Sequence, residues 1–483
     1  MADLSMDGLA TGMATGNIIN QILNAEYGTK LQNLSREKSN LKTEKDAWRD
    51  VNSRISNLEN KMADLRLSST FDSNKTTSSS KDVADATATT AADASSYTLD
   101  ISQLAKKHRV ASAQQVDSTS DLGLNGGNSG SFTIELDGIS KSFNVSIDGP
   151  ESLNDVRDAI NNASGNDDGN GNKLVESSVV DNTLIIEGVN TGTNNMLSFQ
   201  DPDNILDNDG TNDLGFDLDI NGNVNTASEL QAAQDAQFSV NGLAVTRSSN
   251  QGLDDVVNEV TFNLKTTGAT TIEVSKDIDK ATSAIQEFVD QYNSVQSFIG
   301  KKLDYNQETG EAGALQGSGT LMRLQSKLRQ MITNSVDNNS DYDQLAMVGI
   351  EINRDGTMEF DSNKFKESIA DKPNEVKKLF NADTDEGDSF NGIATKVDGY
   401  LDLLVQSNTG VIPEKVDSYE IMVENVDEQI DSVNDNLEQE RERLQSEFTA
   451  METAISKMNS QMSWMQSQLA SLGGSASSIS SML

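Results

Sequence analysis

The chain of 483 residues contains no cysteine, which excludes disulfides, thiolate metal sites and a thiol nucleophile. Histidine occurs once, as His108 in Lys106-Lys107-His108-Arg109. That run reads as a solvated basic cluster after a strand, and no G-x-S-x-G elbow accompanies it, so serine–histidine–acid chemistry has no basis. A G-x-x-x-x-G-K-[ST] phosphate loop is also missing. Aromatic content is 5% and hydrophobic content 35%, both low, which suits thin β domains and helical rods better than one large core. No stretch approaches the ~18 apolar residues of a membrane span, so no membrane insertion is expected. Met1 to Thr15 has neither the basic start nor the apolar core of a cleavable signal. On these facts the protein is expected to stay in the cytoplasm or to be exported without signal cleavage. Lysine and arginine number 37 against 76 acidic residues, for a net charge of −39. Nucleic acid needs the opposite excess, and an anionic membrane surface would repel such a chain. With so many carboxylates, pairs arise by chance and say nothing about glycoside chemistry. The expectation is a non-enzyme with no catalytic, cofactor or metal site.

What the chain has instead is spacing. Val416, Val423, Ile430, Leu437, Leu444, Met451, Met458, Met465 and Leu472 recur every seven residues, the mark of one seam of a long coiled-coil helix. A second stripe runs three residues behind it at Tyr419, Val426 and Val433, then four behind it at Phe448, Ile455, Met462 and Leu469. The slip falls across Glu440 and Glu447. A helix of some sixty residues, roughly 90 Å long, is expected to change packing partner there. At the other terminus Tyr27, Leu34, Leu41, Trp48, Ile55 and Met62 share the same interval, with Val51, Leu58 and Leu65 as a second stripe only from Trp48 onward. The simplest arrangement packs the two terminal helices on each other and leaves surplus apolar surface for other copies. Two independent amphipathic helices against a globular core are the alternative.

Between the termini the period changes. Ser68 to Ser95 reads as a linker or loose edge strand. Alternation at Tyr97, Leu99 and Ile101 marks a strand. Phe132, Ile134 and Leu136 face Phe143, Val145 and Ile147 across Asp137-Gly138, a pair suited to the positive φ of a tight hairpin. A short helix with Leu153, Val156, Ala159 and Ile160 follows, then strands at Val175 to Val180 and Leu184 to Ile186. A second hairpin turns at Asn241-Gly242. Helical stripes return at Ile285, Phe288, Val289, Tyr292, Val295 and Ile299, and at Leu321, Leu324, Leu328, Met331 and Ile332, before a small hairpin at Asp355-Gly356. The fold class expected is α+β and multidomain, with long terminal coiled-coil helices, a helical leg bundle and β-rich head domains inserted between them. The expected parts are an N-terminal leg helix over 1–45 paired with 440–483, and a helical body from 46–70 and 280–439. A β-rich head follows from 71–130 and 230–279, with an inserted α+β module over 131–229.

Two near-motifs need weighing. Asp217-Leu218-Asp219-Ile220-Asn221-Gly222 opens like a calcium loop, but its twelfth position is Ser228 rather than Glu. Phe216, Leu218 and Ile220 also alternate as a strand entering an Asn-Gly hairpin, the reading preferred. Gly8, Gly12 and Gly16 repeat G-x-x-x-G in mixed surroundings, which favours a pliable N-terminal segment over close helix crossing.

Several segments resemble the flagellar filament capping family (FliD, or hook-associated protein 2). They are Leu9-Ala10-Thr11-Gly12 leading to Ile18 through Leu23, Asp235 through Gly242 with Arg247-Ser248-Ser249-Asn250 and Val260 through Leu264, Gly349 through Ile352 with Asp355-Gly356, and Phe448 through Leu469. Asp158-Ala159-Ile160-Asn161 with its flanking strands looks like the insertion module repeated in flagellins and hook proteins. The match runs from end to end. It departs at Glu26-Tyr27-Gly28-Thr29, where a basic residue and a proline are common, and the usual Asp after the second glycine is missing. The resemblance implies a secreted, extracellular subunit at the tip of the bacterial flagellum, exported unfolded and closing with copies of itself into a ring. The partners implied are self, flagellin, the flagellar export apparatus and export chaperone, and the hook–filament junction proteins, with host mucin as a possible ligand of the head. The cap would retain exported flagellin and promote its folding and insertion. An extracellular adhesin and a flagellin-like filament or junction subunit are the alternatives; the Asp235 to Leu264 stretch favours the cap.

Overall fold

The structure, a computed structural model, describes residues 12–148, 151–207, 212–337, 340–383 and 390–477. The start of the capping-family opening and Gly8 fall outside them. Ten helices are found among the described residues: α1 (Thr15–Leu23), α2 (Thr29–Arg66), α3 (Ser68–Asp72), α4 (Leu153–Asn162), α5 (Ile278–Leu303), α6 (Gly319–Thr333), α7 (Ser362–Asp371), α8 (Pro373–Asn381), α9 (Ile393–Val405) and α10 (Val411–Ser477). Strands fill most of the interval between α3 and α5. The chain divides into two compact units, Met1–Ser68 with Thr282–Leu483 and Ser69–Ala281. The architecture is therefore α+β, with a β-rich unit inserted into a helical one.

In the helical unit the second half of α2 is buried on several sides. Trp48, Val51, Ile55, Leu58, Met62 and Leu65 are all inaccessible to solvent or nearly so, because two stripes from Trp48 onward give this half a wide apolar face. It packs on α9 and is tied to α5, where Arg54 donates to Ser294 Oγ at 2.7 Å and Lys61 to Glu287 at 2.8 Å. Helix α5 buries the stripe Ile285, Phe288, Val289, Tyr292, Val295 and Ile299, and α6 buries Leu321, Leu324, Leu328 and Ile332. A hairpin, Ile350–Ile352 against Met358–Phe360, closes through Gly356 at φ +89°.

The β-rich unit contains two separate cores. One lies between a five-stranded antiparallel sheet, in the order Asn74–Ser78, Gly268–Lys276, Ser95–Gln103, Ala236–Val240, Leu243–Arg247, and a three-stranded sheet, Leu253–Val257, Val260–Leu264, Ala84–Ala88. Leu99, Ile101, Phe238, Phe262, Leu264, Ile272 and Val274 fill it. The segment from Ser68 to Ser95, expected as a linker or loose edge, supplies an edge strand to each sheet. The Asn241-Gly242 turn has φ +52° and +81°, as a tight hairpin requires.

The second core is the inserted module. Its sheets run Glu229–Gln231, Lys107–Ala111, Thr183–Thr191, Val175–Val180, and Lys141–Asp148, Ser129–Leu136, Leu197–Gln200. Helix α4 packs on this module, its N-terminus closed by reciprocal bonds between Ser152 and Asp155. The module begins earlier than 131. Val110 and Leu124 belong to its core, because Lys107–Ala111 pairs with strands on the far side of the insertion. His108 is accordingly no surface residue. It is 2% exposed, and its Nδ1 accepts the Leu197 N–H at 2.8 Å while Nε2 faces Glu229 at 3.3 Å.

One turn reading changes and a second holds. The 137–140 connection is a four-residue loop in which Ser140, at φ +51°, takes the left-handed conformation. Gly138 is needed for room, since a Cβ there would stand 2.3 Å from Asn194 Cα. At Asp217 to Gly222 the hairpin forms, with Leu218 bridging Val224 across the Asn221-Gly222 turn, although Ile220 lies fully exposed in that turn while Phe216 is buried. Asp219 Oδ1 accepts the Asn221 and Asn223 N–H groups, and Oδ2 accepts the Asn223 side chain. Asp168 does the same with Asn170 and Asn172. Among the described residues no cluster of three or more His, Asp or Glu is placed to hold a metal, and no helix is long and apolar enough to cross a membrane.

Candidate assembly surface

The two terminal helices run antiparallel. Leu34 is buried among Val426 and Val433, with Leu31, Leu41 and Ile430 packed around them. Lys38 is ion-paired with Asp427, and Lys45 and Arg49 reach Glu420 at 3.8 and 3.9 Å. Beyond Tyr27 toward the N-terminus, Ile19 and Leu23 pack on Leu437, Leu444 and Phe448. The pairing of 1–45 with 440–483 is therefore offset, with 19–45 facing 420–448. Helix α10 starts only at Val411, so antiparallel pairing runs out partway along α2, beyond the contact of Arg49 with Glu420. Ile55 and Met62 share the seam's spacing and are fully buried within the helical unit.

The register slip in α10 has a counterpart. Asn24–Gly28 forms a single π turn between α1 and α2, which inserts one extra residue into the helical path. It places Ile19, not Asn20, on the face that continues from Tyr27. On the partner helix the second stripe moves from Val433 to Phe448, one residue late. Tyr27 touches the clusters on both sides of this point. Glu440, in the slip, is bound to Arg443 of its own helix, which also binds Glu447. The Arg443 side chain holds the Glu440 carboxyl below its ordinary range.

Along α10 burial then falls away toward Met458. Val423, Val426, Val433 and Leu444 are buried, and Val416, Ile430 and Leu437 are half-buried. Phe448 and Ile455 are half-buried and Glu452 is buried, while Met458, Met462, Trp464, Met465 and Leu469 are each more than half exposed. Leu472 lies within the bounds of α10, but its side chain is outside the described residues. One helix thus carries a continuous apolar spacing of which only the first part is covered. Trp464, on neither counted stripe, is also exposed, but it lies about 130° round the helix from that face.

Comparison with known proteins gives consistent results. Residues 11–108 match the family described as "Flagellar hook-associated protein 2 N-terminus" and residues 233–460 the one described as "Flagellar hook-associated protein 2 C-terminus". The A-type flagellar hook-associated protein 2 of Pseudomonas aeruginosa is 28% identical over 446 residues, covering 88% of each chain. The flagellar hook-associated protein 2 of Escherichia coli K12 is 26% identical over 428 residues, covering 86% of this chain and 87% of its own. Among solved structures, the D1-D2-D3 domains of the flagellar cap protein FliD from Escherichia coli superpose with a TM-score of 0.61 at 27% identity, covering 77% of this chain and 99% of that one.

Proposed function

The chain belongs to the flagellar hook-associated protein 2 family, and on that premise we propose that it caps the growing flagellar filament as a ring of identical copies, retaining exported flagellin while it folds and inserts. The uncovered stripe from Met458 to Leu469 carries this reading. Exposed methionines and a leucine at helical spacing are costly to leave in water, at roughly 25 cal/mol per Å² of apolar surface. Such a face suits helix-in-groove contacts, and methionine adapts to partners of varied shape. The covered half of α10 anchors this face to the helical unit. The bare half is placed to contact neighbouring copies and the helical ends of incoming flagellin. Export as an unfolded chain through the flagellar apparatus, with an export chaperone over the terminal segments, fits a chain without cysteine that needs no oxidative step to refold. The hook–filament junction proteins are the expected contacts of the first cap. The relatives are named as hook-associated and cap proteins, which favours a cap over a filament subunit or a mucin-binding adhesin.

The test is the double variant Met458→Asp, Met465→Asp. Both side chains are exposed, so the monomer should keep its melting temperature while the ring dissociates in sedimentation. Cells carrying it should shed monomeric flagellin and swim poorly. Normal filaments and intact rings would refute the assignment.

A further inference from the structure

A chain without cysteine offers a peroxide no thiol, so its methionine thioethers are the groups such an oxidant attacks most readily. Their exposure is uneven. Met62 and Met358 are buried, and Met322 and Met422 are a little under half exposed. The three most exposed methionines among the described residues are Met458, Met462 and Met465, at 62%, 56% and 55%. All three lie on α10. At about 100° per residue they fall, with Ile455 and Leu469, in an arc of about 80° that holds no polar side chain over that length. No side chain of the arc can therefore donate a hydrogen bond to an added oxygen.

A methionine sulfur attacks one oxygen of a hydroperoxide. The S–O bond forms as the O–O bond breaks, and the proton of the transferred oxygen passes to the leaving oxygen, which departs as water or an alcohol. The sulfur is oxidised by two electrons and the peroxide is reduced by the same two. The product is a sulfoxide, a polar acceptor where a polarizable apolar sulfur stood. Burying that acceptor against an apolar partner with no donor is unfavourable. We propose that Met458, Met462 and Met465 form an oxidation site, at which a hydroperoxide converts the assembly face into one that no longer self-associates. This rests on the reading that copies meet through that face. A subunit already assembled has the three sulfurs covered, so oxidation singles out copies that have not yet joined.

The full chain should be treated with hydrogen peroxide, mapped by peptide mass spectrometry and sedimented before and after treatment. The three methionines should each gain one oxygen ahead of Met322 and Met422, and long before Met62 and Met358. Self-association should then weaken about tenfold or more. Dithiothreitol with the two epimer-specific methionine sulfoxide reductases should restore it. In the triple variant Met458→Leu, Met462→Leu, Met465→Leu, peroxide should cause no further loss, whatever the strength of association before treatment, although Met322 and Met422 still oxidise. Should that variant not associate at the outset, the reductases decide: recovery of the wild type supports the proposal, and no recovery overturns it. Three sulfoxides with undiminished self-association, or a loss that the leucine variant shares in full, would overturn the proposal and leave the cap reading standing. Failure of the untreated chain to self-associate would overturn both.

Discussion

The two halves of helix α2 carry the same seven-residue interval and live in different surroundings. From Trp48 onward every repeat position and its second stripe is buried in the bundle. Before it, Leu34 is buried against one helix and Leu41 only half covered. The interval is common to both, so it cannot be what decides. The second stripe decides: Val51, Leu58 and Leu65 widen the apolar face, whereas Lys30, Glu37 and Glu44 occupy the equivalent earlier places. A narrow seam takes one partner, and a wide face takes a bundle.

The largest effect that would break this comparison is a charge in each half. Ile55→Asp puts an unpartnered carboxylate in a fully buried site, at a cost of several kcal/mol. Helical signal in circular dichroism should collapse well below the wild-type melting temperature. Leu41→Asp is half solvated and should shift the melt little while loosening the terminal pair. Equal shifts would mean the halves are one cooperative element. The milder Ile55→Ala should cost ~2–5 kcal/mol and Leu34→Ala ~2 kcal/mol at most, because the two-helix site collapses more easily around a cavity.

A second contrast lies between the two β cores. Lys106 and Gln234 face each other across the neck of the inserted module, with backbone bonds of 2.7 and 3.2 Å. Excising residues 106–234 and joining the ends through a short glycine link should therefore leave the core of Leu99, Phe238 and Phe262 folded, with strand signal retained. Excising only 130–225 strands His108 and Val110 without their partners, and that protein should aggregate. If both deletions behave alike, the two cores are not separable.

These outcomes mark what was legible in the sequence. The α+β class, the hairpin at Asn241-Gly242 and the stripes of α5 and α6 follow from local periodicity. The end of the terminal pairing was not legible, because it depends on where α10 begins relative to Trp48, a fact of three-dimensional offset. His108 read as solvated because its lysine and arginine neighbours are charged; nothing local shows that its strand is recruited between others from beyond the insertion. The cleft lined by Gln296, Gln325 and Arg329 was equally hidden, since two helices and a hairpin turn meet there from separate stretches of chain. The bare stripe could be seen as apolar spacing, but spacing does not say which repeats a partner covers.

Smaller effects sharpen the picture of the surface. Each copy carries −39, so like charges oppose ring closure, and salt shortens the screening length from ~30 Å at 0.01 M to ~8 Å at 0.15 M. Sedimentation should show self-association strengthening over that range; dissociation by salt would place complementary charge, not apolar legs, in control. The smallest expected effect is at Asp168, whose carboxyl is lowered to about 2 by the Asn172 side chain and then by the backbone N–H groups of Asn170 and Asn172. A depressed folded value means its stabilising contribution is complete above the ordinary carboxylate range and is lost as pH falls toward 2. Carboxyl NMR should find it ionised at pH 3, and Asp168→Asn should flatten that part of the acid-unfolding curve slightly.

The π turn at Asn24–Gly28 has a genetic consequence. Losing one codon there would leave Ile19 seven residues before Tyr27, so the π turn would close into regular α-helix and Ile19 and Leu23 would stay against Leu444 and Phe448. Losing one codon between Leu34 and Leu41 instead would turn the preceding helix by about 100° against its partner. A motility screen of single-codon deletions should therefore tolerate losses within Asn24–Gly28 and reject them along the regular helix, so that this turn is where the leg can shorten silently.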